Sequence, residues 1–157
     1  MQFTRPFVSA AALLVLTAGM HSFGQDGDPF VGTYLVNPEK TSGLFPRNFT
    51  ITIEASPDGK MRANIAGELK DGSKYERDNE FAYGEQDVQL EGGLSLIRTV
   101  EHPNSHTIFA SFKDHTGAVV ETLRLGLSED ENTLTQTISR LAADGTFVDQ
   151  ILVLDRQ

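Results

Sequence analysis

From Gln25 onward the chain is a succession of short runs in which apolar and polar residues alternate. Phe49-Thr50-Ile51-Thr52-Ile53-Glu54 is the plainest, with Phe and Ile on one side and Thr and Glu on the other. Period-2 alternation of that length predicts a half-buried strand. Comparable runs cover Val31 to Asn37, Met61 to Leu69, Lys74 to Tyr83, Val88 to Glu91, Leu94 to Val100, His106 to Lys113, Val119 to Leu127, Thr133 to Leu141 and Phe147 to Leu154, ten in all. Between them stand clusters such as Ser56-Pro57-Asp58-Gly59, Gly92-Gly93, Pro103-Asn104-Ser105 and Ala143-Asp144-Gly145. Gly, Asn and Asp tolerate the positive φ of tight reversals, so these read as hairpin turns. Without linkers or helix-period stretches, the pattern predicts an all-β fold: a single up-and-down antiparallel β-barrel of about eight to ten strands. An immunoglobulin-like sandwich is the alternative. The longer gap from Pro38 to Asn48 has room for a short helical turn or a flap over one barrel end.

Alternation also assigns faces. Phe30, Gly32, Tyr34 and Val36 share one side, as do Phe49, Ile51 and Ile53, then Met61, Ala63, Ile65 and Leu69, then Tyr75, Phe81 and Tyr83. These point inward. Arg62, Asn64, Glu68, Lys74, Glu76, Asp78 and Glu80 fall on the opposite side, as a solvated exterior.

The first 24 residues have a different composition. Arg5 precedes an apolar run from Phe7 to Met20, no acid occurs before Asp26, and Ser22-Phe23-Gly24 offers small residues at the −3 and −1 positions of a cleavage site. That is the layout of a secretory signal peptide. The apolar run is shorter than the roughly 20 residues a membrane-spanning helix needs. Residues 1–24 are therefore expected to be a signal peptide and residues 25–157 the barrel domain. The mature form would be exported, either periplasmic or secreted, with no membrane anchor.

Net charge is −9, and removing the leader with Arg5 makes it −10. Such an acidic balance opposes nucleic-acid and anionic-membrane partners. The absence of cysteine excludes disulfide, thiol and zinc-thiolate chemistry.

The segment Asp28-Pro29-Phe30-Val31-Gly32-Thr33-Tyr34-Leu35-Val36-Asn37-Pro38-Glu39-Lys40 resembles the opening strand of lipocalin-like exported bacterial proteins, in which a Gly-Thr-Trp precedes Asn and Lys-Ser. Ser128 to Thr135, then Asp144-Gly145 and the terminal Asp155-Arg156-Gln157, look like the end of the same group. Tyr34 stands where that group has Trp. The resemblance places the chain in the calycin superfamily, with ten strands closer to the fatty-acid-binding branch than to the eight-strand lipocalins. It implies that the Gly-x-Tyr element closes one barrel end and that the interior takes a small hydrophobic molecule.

Arg77 lies on the side of Tyr75 and Phe81, Arg98 on that of Val100, and Arg140 on that of Leu134 and Ile138. An inward guanidinium is costly unless paired. Either it receives a ligand carboxylate, or it pairs with a protein carboxylate such as Glu121 or Asp149, or a bulge shifts the parity and puts it in water. Tyr34, Tyr75, Arg77, Phe81, Arg98 and Arg140 are thus the candidate ligand-binding residues. His102 and His106 flank a turn with His115 on the next, but no carboxylate is fixed beside them by spacing, and no metal or other cofactor is expected. With no Gly-x-Ser-x-Gly, phosphate loop or paired acid and base, an enzyme is not expected either. Two functions stay open. One is a carrier of a small hydrophobic or anionic amphipathic molecule; the other is a packed envelope or interaction barrel without a cavity.

Overall fold

The computed structural model describes residues 27–42, 48–68, 71–90 and 95–157. The segment expected to be a signal peptide, Leu69 and the expected turn at Gly92-Gly93 lie outside the described residues. Among the described residues, ten strands make one antiparallel sheet: β1 Gly32–Val36, β2 Thr50–Ala55, β3 Met61–Glu68, β4 Lys74–Phe81, β5 Val88–Gln89, β6 Ile97–Asn104, β7 Thr107–Lys113, β8 Val119–Leu127, β9 Thr133–Leu141 and β10 Phe147–Arg156. Their order is β4-β3-β2-β1-β10-β9-β8-β7-β6-β5. Each strand pairs with its sequence neighbours except at two places. β1 pairs with β10, which curls the sheet into a barrel, and β4 and β5 are left as its two edges. The seam of the barrel therefore lies between β4 and β5.

Register carries the inward rows from strand to strand. Tyr34 sits opposite Ile51, Ile51 opposite Ile65 and Ile65 opposite Arg77. On the other wall Leu127 faces Leu134 and Leu134 faces Leu154. Phe30, Tyr34, Ile53, Met61, Val100, Leu134, Leu152 and Leu154 are completely buried. Each such side chain contributes roughly 2 kcal/mol of transfer free energy. All of them belong to one end of the barrel, where β2, β8 and β10 finish and β3 and β9 begin.

Three hairpins repeat one solution. Ser56, Asp114 and Ala142 donate to the carbonyls of Lys60, Ala118 and Thr146, and Gly59, Gly117 and Gly145 donate back to Ser56, Asp114 and Ala142. Those glycines have φ of 89°, 86° and 84°, a conformation that costs an L side chain energy. The preceding aspartates tie the turns further: Asp114 and Asp144 accept from the backbone N–H two residues on.

β6 departs from the expected boundary. It runs through Pro103 to Asn104 instead of ending at Val100, with the register broken between Glu101 and Asn104. Proline has no N–H to give a ladder, and a bulge is where that loss costs least. The exposed edge β4 carries Lys74, Glu76, Asp78 and Glu80 outward, with Arg62 paired to Asp78 at 2.8 Å and Lys60 to Glu80 at 2.9 Å. Charges of this kind discourage edge-to-edge association.

Candidate functional site

The two ends of the barrel are built differently. At the packed end, the Tyr34 hydroxyl donates to the Phe30 carbonyl at 3.0 Å and accepts from Arg156 Nη2 at 2.6 Å. The guanidinium also lies over the Tyr34 ring, 5.2 Å from its centroid, and bonds the Pro29 carbonyl. Burial pushes the Tyr34 hydroxyl above its ordinary pKa, and Arg156 partly opposes that shift. Beside it Tyr83 donates to Asp28 at 2.8 Å and stacks on His102 with centroids 4.1 Å apart. Phe30 meets the same imidazole edge-on. This plug closes the barrel and ties the segment before β1 to the end of β10.

Along the seam, Arg98 is buried against the β4–β5 connection. Its Nε and Nη2 reach Glu85 at 2.9 and 2.7 Å, and Nη2 also reaches the Glu80 carbonyl at 2.7 Å. The second Glu85 oxygen accepts from the Ala82 N–H at 2.8 Å, while Val100 exchanges backbone bonds with Gly84 and Glu85. The partner of Arg98 is thus Glu85, in place of the Glu121 or Asp149 expected from sequence. The reason is that the turn after β4 folds back onto β6 and carries Glu85 inward.

The opposite end is open. Inward residues there keep contact with solvent: Ile65, Tyr75, Phe112, Leu123, Ile138 and Gln150 are half-buried, and Arg77, Arg140 and Val148 are exposed. These residues alternate with outward neighbours and share inward rows with the core, so solvent reaches them from within the curl of the sheet. Arg140 Nε lies 2.5 Å from Glu121 across the β8–β9 ladder. Among the described residues Arg77 has no hydrogen-bond or ion-pair partner.

Of the six candidate residues, Tyr75, Arg77 and Arg140 therefore line the open half. Tyr34 and Phe81 sit in the packed half, Phe81 opposite Met61, and Arg98 fastens the seam. His102 is in the plug and His106 bonds Ser105, and no group of three potential metal ligands occurs among the described residues.

No family model and no curated protein matches the chain. Solved structures similar to it include the fluorescent protein UnaG, at 14% identity and a TM-score of 0.58 over 82% of this chain and 97% of that one. A mutant of UnaG superposes equally well, with a TM-score of 0.59 over 82% and 96%. The chain has a calycin-like barrel fold. At 14% identity the likeness is one of fold alone.

Within this calycin-like barrel, two residues escaped sequence reasoning. Glu85 sits in a turn cluster, where an acid is unremarkable. Gln136 interrupts the inward series Leu134, Gln136, Ile138, and that interruption was a signal in itself.

Proposed function

We propose that the chain is a non-enzymatic, exported carrier or sensor that takes a small hydrophobic or amphipathic molecule into the open half of its barrel. The supporting observation is the contrast along single strands. Leu152 and Leu134 are sealed, whereas Val148 is 53% exposed and Ile138 half-buried on the same inward faces. A wall of Ile65, Tyr75, Phe112, Leu123 and Ile138 presents apolar surface to a guest, and burying it is the driving force. Arg77, uncommitted at the mouth, supplies a guanidinium for a carboxylate or other anion. Arg140 is half-neutralised by Glu121 and is the weaker anchor. The leader-like residues 1–24 support export.

Isothermal titration of laurate into the purified chain tests the reading. Saturable binding that weakens about tenfold in Arg77→Leu is expected, since a charge-assisted hydrogen bond contributes on the order of 1.5–3 kcal/mol. Absence of any binding of laurate would refute it. A second reading, a barrel acting through its surface, is favoured by the exposed outward residues Leu35, Leu141, Phe147 and Ile151. Self-association or capture on a partner without laurate binding would support that one.

A further inference from the structure

Gln136 is 6% exposed, and its Oε1 is buried with no hydrogen-bond partner among the described residues. Its neighbours explain why. Across the ladders it faces Leu125 on β8 and Leu152 on β10, and on its own strand Leu134 lies below it and Ile138 above. None of these can donate or accept. A leucine would fit the row and avoid the cost of stranding an amide in apolar surroundings. The amide also occupies a particular level: Leu134 beneath it is fully buried in the packed half, while Ile138 above it lines the open half. Gln136 therefore lies at the boundary between the packed and the open halves. Arg140, at the mouth on the same strand, is four residues away, about 13 Å at the rise of a β-strand. Gln150, opposite Ile138, continues the polar track between them.

We propose that Gln136 is a specificity residue for the buried end of the guest, and that the guest class is an amphipathic acid whose far end carries a hydroxyl. This rests on the carrier reading above. A hydroxyl donates to Oε1 once the side chain turns that atom from the leucines toward the guest, and can accept in return from Nε2. The acid end remains at the mouth with Arg77. A plain alkyl terminus fills the same space but leaves Oε1 unpaired, and a site built around an unpaired polar group discriminates strongly against a guest that cannot pair with it.

The test compares laurate with ω-hydroxylaurate in calorimetric titrations of the wild type, Gln136→Leu and Gln136→Met. The wild type is expected to bind the hydroxy acid about tenfold more tightly than laurate, and both variants to lose that preference while still binding laurate. A wild type that binds both acids equally, or a preference that survives in Gln136→Leu, overturns the proposal. If laurate binds but no preference exists, the carrier reading stands and only the role of Gln136 falls. If neither acid binds, both fall. Thermal unfolding without any guest supplies an independent arm: Gln136→Leu should melt above the wild type, because the stranded amide is gone. A lower melting temperature would mean that the amide is satisfied within the fold, and would also overturn the proposal.

Discussion

Arg98 and Arg77 share an inward parity and a residue type, yet their surroundings give them opposite roles. Arg98 spends its Nε and Nη2 on Glu85 and the Glu80 carbonyl. Its side chain and that of Glu85 are 10% and 13% exposed, so the pair is shielded from solvent and from salt. Replacing one member leaves a buried charge, which typically costs about 3–5 kcal/mol. Arg98→Met is expected to lose stability on that scale in urea unfolding. Adding Glu85→Gln should recover part of it, because a neutral amide still accepts from the Ala82 N–H. A single variant within about 1 kcal/mol of wild type would show that the seam does not depend on the pair. Sequence alternation was enough to put these arginines on the inner face. It did not distinguish them, because the distinction comes from a turn some dozen positions away in the chain folding over one and not the other.

Among the elements, the hairpins were the most legible. Asp-Gly and Asn-containing clusters fix a turn locally, and the strands on either side inherit their register from it. Gly145 is a clean probe, since a Cβ placed there would meet no atom within 4 Å and only its φ of 84° resists substitution. Gly145→Ala is expected to cost roughly 1 kcal/mol, read as a lower urea midpoint with an unchanged slope. No loss would mean that the β9–β10 turn readjusts freely. β6 was the least legible element. A Pro-Asn-Ser cluster reads locally as a turn, but pairing with β7 extends the strand through it and absorbs Pro103 in a register break. Tertiary pairing outweighs local propensity there.

At the scale of the whole molecule, the plug holds the chain before β1 against the last strand, and it contains a titratable group. Burial pushes the pKa of His102 down, with Asp28 partly opposing the shift. The folded state therefore takes up the proton later than the unfolded chain does. Stability should fall as pH drops below about 6.5, the unfolded value, and level off once pH passes the lower folded pKa. Urea midpoints at neutral and mildly acidic pH would check this: wild type should lose more than His102→Phe, whose ring can keep the stack on Tyr83. Equal losses would show that His102 titrates alike in both states. The exposed turn aspartates act at lower pH. Hydrogen bonds from Ser73, Thr116 and Thr146 hold the carboxyls of Asp71, Asp114 and Asp144 below their usual range, so their contribution is present above the unfolded carboxylate pKa and is lost in acid.

By itself the sequence determined the ten strands, their inward and outward faces and their antiparallel order, because alternation and turn chemistry act over a few residues. Only the tertiary structure decided which inward residues form a sealed core and which line an opening. That depends on how the sheet curls: the pairing of β1 with β10 and the seam between β4 and β5 tilt each inward row from the packed end toward the mouth. Tyr34 and Arg77 thus belong to a single row, one fully buried and the other in solvent. No local pattern carries that information, since the difference between the two ends exists only once residues far apart in the chain lie side by side.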